Sequence, residues 1–289
     1  MSTLNAKDNI AKLFSRVDDL KTLPAVVLQI NNLLRKEAVS IEEVSNTIEK
    51  DAALTARVLK LSNSSYYGLS YKVNSPASAI AILGFDTIRN LAVTISLTKS
   101  FNKPGKSAFN VKEVWLHGLG CAVAAKALAC KSRDLGLQEK AFIGGIIHDI
   151  GKLLIFENMP AEMDRIMEMS SFDRTVDYGE IEKDVLGFTH ADVGAYVAEK
   201  WLFPPELTGT IKYHHRPELN KEDREIACAV HAGNEIAKAL CLGKSTFEKA
   251  RNMNPRIWKE LDLTEDDLSG IIPQIKMDFD VILNSLNLA

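Results

Sequence analysis

Residues 141–156 read Ala-Phe-Ile-Gly-Gly-Ile-Ile-His-Asp-Ile-Gly-Lys-Leu-Leu-Ile-Phe, the most apolar run in the chain, with His148, Asp149 and Lys152 set inside it. A run this apolar reads as a helix that must be buried. Burying an imidazole, a carboxylate and an ammonium without partners costs several kcal/mol, so other segments must supply those partners. Two arrangements would serve: a metal ion, or a closed hydrogen-bond network.

The remaining segments repeat at helical period, and none alternates as a strand does, so the expected fold is all-α. Hydrophobic residues make up 46% of the 289 residues and charged ones 25%, which suits a globular protein and excludes wholesale disorder. A net charge of −3 gives no reason to expect a nucleic-acid partner.

Local signals divide the chain. Ile10, Leu13, Phe14, Val17 and Leu20 form an amphipathic stripe ending before Leu23-Pro24. Ser40 and Glu43 fit a capping box, and Asp51 fits an N-cap. Asn63 to Gly68 reads as an ordered, aromatic loop. Ser75-Pro76 opens a helix that stops at Gly84, and Asp86 opens the next. Helix, glycine turn, helix could read DNA. The second helix, with Arg89 and Asn90 among apolar residues, fits ordinary packing better. Phe101 to Ser107 is linker-like. The tail from Thr264 to Leu288 reads as helix with a break at Pro273.

Cys121, Cys130, Cys228 and Cys241 show no C-x-x-C spacing and are expected to be buried free thiols in a reducing compartment. The first 13 residues lack the apolar core of a secretion signal, and no apolar run reaches the ~18 residues of a membrane span. The expected location is cytoplasmic, with no membrane partner.

All six histidines lie between residues 117 and 231. His117 shares a helical face with Val114, Cys121 and Ala124, and His190 with Val193, Val197 and Trp201, so both point inward. Singly, each reads as a core histidine, as does His231. The doublets His148-Asp149 and His214-His215 alter that reading. Neighbouring imidazoles and a carboxylate suit a divalent transition metal (Fe, Mn, Zn or Ni), with the carboxylate as bridge, one or two ions in all. His214-His215 could also be a solvated helix end.

His117, the H-D-I-G-K sequence at 148–152, His190 and His214-His215 resemble, in order, the motif of the HD superfamily, particularly its HD-GYP branch. Leu23-Pro24, Ile48 to Leu59, Asn63 to Gly68 and Ala79 to Gly84 resemble hallmark stretches of the HDOD family, HD-related output domains of bacterial signalling proteins. The resemblance runs from about residue 16 to 240. It implies an HD-like helical bundle with an additional N-terminal helical subdomain: residues 16–100, an HD-like metal-binding half at 108–245, and a helical tail at 246–289. It also implies that His117, His148 and Asp149 serve one ion, while Asp149 bridges to a second held by His190, His214 and His215.

Two positions depart from the pattern. Asn234 stands where the last acidic ligand belongs, which weakens the first site, with His231 and Glu235 as nearby substitutes. His215 is followed by Arg216-Pro217-Glu218-Leu219 rather than Gly-Tyr-Pro, which argues against cyclic di-GMP as substrate. The resemblance implies a signalling module acting through a protein partner, with a bound metal. The rival is a metal-dependent phosphohydrolase with a phosphate-ester ligand, in which Asp149 and Lys152 are catalytic and Lys152 steadies the phosphate. Lys152 reads equally as a snorkelling surface lysine.

Overall fold

A computed structural model describes residues 10–11, 25–36, 38–100, 109–131, 135–172, 176–221, 223–243, 248–251 and 253–286. All regular structure among these residues is helical. The chain divides into two compact units. The smaller comprises Thr22–Ser100 with Leu268–Ala289, and the larger comprises Met1–Lys21 with Phe101–Asp267.

The smaller unit contains α1 (Ala25–Leu33), α2 (Ile41–Glu49), α3 (Ala52–Ser62) and α4 (Pro76–Ser100), with α4 packed against the other three. The expected caps are present. Glu43 N donates to Ser40 Oγ at 3.1 Å while Ser40 N donates to Glu43 Oε2 at 3.0 Å, and Leu54 N donates to Asp51 Oδ1 at 2.9 Å. The loop after α3 is ordered by Asn63, whose amide pairs with both the carbonyl and the N–H of Val73. Gly84 takes φ 84°, a conformation open to glycine at little cost, and kinks α4 there. Beyond the kink Ile88, Leu91, Ala92 and Val93 are buried, Asn90 is 1% exposed and Arg89 pairs with Asp86. A face that should read a DNA groove is packed inside instead.

Residues Pro76–Ser96 do reach the length and mean hydropathy of a membrane span, contrary to the sequence expectation. The kink and the burial of 56% of that stretch give its apolar residues a role in the core.

The larger unit contains α5 (Val111–Leu128), α6 (Leu135–Ile147), α7 (Ile150–Asn158), α8 (Pro160–Phe172), α9 (Tyr178–Leu186), α10 (His190–Lys200), α11 (Pro205–Tyr213), α12 (Arg224–Ala239) and α13 (Pro255–Glu260). Its centre is the packing of α5 against α6 and α12, flanked by α7, α10 and α11. Ser170 belongs to α8 and is buried.

The tail helix α14 (Glu265–Leu286) runs through Pro273 without the expected break. A proline in a helix interior costs ~3 kcal/mol; the buried stripe Ile275, Phe279 and Ile282 beyond it offsets that cost. The thiols also depart from expectation. All four are free, but only Cys121 and Cys228 are buried; Cys130 and Cys241 fall at helix ends and are exposed. Of the N-terminal stripe only Ile10, which is buried, is among the described residues; Leu23-Pro24 and Phe101 to Ser107 lie outside them.

Candidate metal centre

The apolar run is not one helix. α6 ends at Ile147, His148 and Asp149 form a turn, and α7 starts at Ile150. Asp149 holds the N-cap position of α7, yet its side chain makes no capping bond. It turns instead toward the histidines. The break aims two consecutive side chains at one point, which a continuous helix would spread by ~100°.

Asp149 divides its oxygens between two groups. Oδ1 lies 3.3 Å from His190 Nε2 and 3.8 Å from His214 Nε2. Oδ2 lies 3.5 Å from His148 Nε2 and 3.9 Å from His117 Nε2. His215 Nε2 is 3.1 Å from His190 Nε2. Two sets, His117-His148-Asp149 and His190-His214-His215, are each close enough to hold a metal ion. The elements bring them together from four places: α5 carries His117, the α6–α7 turn His148 and Asp149, the first residue of α10 His190, and the end of α11 His214 and His215. Thr189 fixes the start of α10 through a capping box with Asp192.

The outward nitrogens show that the residues fit a cation. His148 Nδ1 donates to the carbonyl of Gly145 at 2.8 Å, and His214 Nδ1 to that of Ile211 at 2.7 Å. His190 Nδ1 donates to Glu182 Oε2 at 2.6 Å. With Nδ1 carrying the proton, each Nε2 of a neutral ring turns a lone pair toward the same small space. Burial keeps His148 and His214 below the usual imidazole pKa, and neighbouring imidazoles lower His214 further. His148 Nε2 and Asp149 Oδ1 are buried without a hydrogen-bond partner. Burial opposes ionisation of Asp149, but the Lys152 ammonium and His190 outweigh it and hold the carboxyl well below its usual range. Lone pairs and an anion facing one another need a positive charge between them.

Without metal, that charge is a proton. Burial lowers the His190 pKa, the Glu182 carboxylate raises it, and the outcome is about 9. A metal ion would replace that proton. His117 is the weakest member. Burial and then His148 push it down to about 3, and its Nε2 is 2.9 Å from Asn234 Oδ1. Asn234 is thus a neutral neighbour of His117. The two expected substitutes have partners of their own: His231 Nδ1 donates to the backbone carbonyl of His214, and Glu235 pairs with Lys238.

Lys152 is not a surface lysine. It is 1% exposed, donates to Asp149 Oδ2 at 2.9 Å and Glu248 Oε1 at 2.6 Å, and lies 5.0 Å from the centre of the Tyr178 ring. His215 is the cluster histidine that borders a cleft of about 920 Å³, with Lys183, Lys212, Arg216 and Arg251 on its walls.

Two participants escaped the sequence reading. Glu182 is fully buried and orients His190; its signal was a carboxylate on the face of α9 that also carries Tyr178 and Ile181. Glu248 lies in an irregular segment and gave no signal. Glu182→Gln should weaken metal affinity by ~10–100-fold, as loss of an orienting partner does, with little change in the melting temperature of chelated protein. Competition against a chromophoric chelator would measure it; an unchanged affinity would make Glu182 merely a buried partner.

Comparison with known proteins bears on this arrangement. Residues 20–217 match the HDOD domain family. A crystal structure of an HDOD domain protein of unknown function from Geobacter sulfurreducens superposes with a TM-score of 0.80 at 25% identity, covering 100% of this chain and 99% of that one. A Shewanella amazonensis SB2B protein, provisionally described as a phosphohydrolase, superposes with a TM-score of 0.72 at 25% identity, covering 96% and 98%. An uncharacterized protein of Treponema pallidum is 23% identical over 240 residues, which is 83% of this chain and 46% of that protein. Uncharacterized protein YuxH of Bacillus subtilis is 36% identical over 90 residues, 31% of this chain and 22% of that protein. The chain spans less than half the length of these curated relatives.

Proposed function

Because this chain belongs to the HDOD domain family, we propose that it serves as a cytoplasmic signalling or regulatory module, working through a protein partner and carrying a divalent transition metal in its HD-like half. The observation that carries the metal assignment is the convergence of imidazole Nε2 atoms on the two oxygens of Asp149. His117, His148 and Asp149 would hold one ion; His190, His214 and His215, with Asp149 as bridge, the other. Burial of the ligands favours regulation over turnover, since His117, His148, His190 and His214 are at most 1% exposed. The neutral Asn234 and the committed Lys152 point the same way. Elemental analysis of the full chain purified without chelator tests the metal: the expected result is at least one equivalent of a divalent transition metal, and none would overturn the assignment.

A second reading, metal-dependent hydrolysis of a phosphate ester, is favoured by His215, which borders the cleft with Lys212 and Arg216. The Shewanella relative's description agrees with it. A bound ion would polarise a phosphoryl oxygen and lower the pKa of its water. Phosphoester turnover by Mn-loaded protein that disappears in Asp149→Ala would support this reading; no turnover leaves the regulatory one.

A further inference from the structure

Beside the histidines lies a second buried group of charges. Lys152 and Lys238, whose side chains are 1% and 6% exposed, both donate to Glu248, at 2.6 Å to Oε1 and 2.8 Å to Oε2. Each lysine also has a carboxylate three residues before it: Asp149 at 2.9 Å from Lys152 and Glu235 at 3.0 Å from Lys238. Two ammonium groups and these two carboxylates already balance. Glu248 is a third anion, inserted from outside any helix. If Asp149 is engaged with cations it neutralises Lys152 less, and the pull on an added anion grows.

We propose that Lys152 and Lys238 form an oxyanion-binding site next to the histidine cluster, and that Glu248 fills it as an internal ligand that a phosphate- or carboxylate-bearing molecule displaces. Two ammonium groups converging on one carboxylate offer the charge-assisted hydrogen bonds an oxyanion needs. Two ties on the segment carrying Glu248 run through Arg251: its N–H donates to Glu235, and its Nη1 meets Asp177 Oδ2 at 2.6 Å. That last pair is about half exposed, so it restrains the segment weakly. Arg251 and Asp177 line the same cleft as His215, so displacement of Glu248 would be felt at the rim of that cleft.

Inorganic phosphate, titrated calorimetrically into chelator-treated full-length protein, tests this without any contribution from metal. Glu248→Ala and Glu248→Gln should each bind phosphate about tenfold or more tighter than wild type, because the competing internal charge is gone. Adding Lys238→Met to Glu248→Ala should return the affinity to the wild-type level. Folded Glu248 variants that bind no tighter than wild type would overturn the proposal, as would a gain that survives Lys238→Met. An internal ligand must be removable, so failure of both Glu248 variants to fold would overturn it too. The metal assignment stands or falls separately, on elemental analysis of the untreated protein.

Discussion

Replacing Asp149 with Ala should strip the chain of bound metal and lower its stability by about 3–5 kcal/mol, the usual cost of removing one partner from a buried ion pair. The carboxylate faces both histidine groups, with Oδ1 toward His190 and His214 and Oδ2 toward His148 and His117. Its loss therefore weakens both sites together and takes from Lys152 a carboxylate partner at 2.9 Å. Elemental analysis and urea denaturation measure the two effects. Wild-type metal content in this variant would mean that the histidines hold the ion unaided, and the assignment of Asp149 as bridge would be wrong.

Gly151→Ala should be nearly as damaging, although it adds one methyl group. A Cβ at this position would fall on the backbone carbonyl of His190 and lie 2.9 Å from Gly194 N. Backbone cannot swing aside as a side chain does, so α7 and α10 would have to separate. Overpacking costs typically 1–3 kcal/mol and more where nothing can yield; about 3 kcal/mol is expected here. Metal content should fall as well, because His190 opens α10 and must stay within reach of Asp149. The glycine of H-D-I-G-K thus has a packing reason. A melt indistinguishable from wild type would show that α7 and α10 can part without loss.

Much of this was legible in the sequence because it depends on period and on local chemistry. Apolar residues at helical spacing gave the helices, and short polar signals such as Ser40 with Glu43 gave their starts. His117 and His190 were placed inward by the faces they share, and both are buried. The break at His148-Asp149 was invisible, because an apolar run looks the same whether its helix continues or turns. Glu248 and the burial of Lys152 were hidden for a different reason. The ion pair that satisfies them spans 96 residues, and no local pattern records such a distance. Pro273 misled because propensity is local, whereas the buried stripe that keeps α14 intact lies beyond the proline.

Asp149 sits where an aspartate would ordinarily cap α7, and it leaves that duty undone. Its side chain therefore has two competing employers: the first-turn N–H groups of its own helix and the cations of the cluster. Capping is worth roughly 1 kcal/mol, whereas a structural transition metal can contribute ten or more. The outcome is decided by whether metal is present. In its absence only the proton on His190 and the Lys152 ammonium hold the carboxylate, which can then return to the helix, release Lys152 and alter the first turn of α7. Metal occupancy would then be written into backbone order. Slower amide exchange at Gly151 in chelated than in loaded protein would reveal that exchange of roles, and equal rates would exclude it.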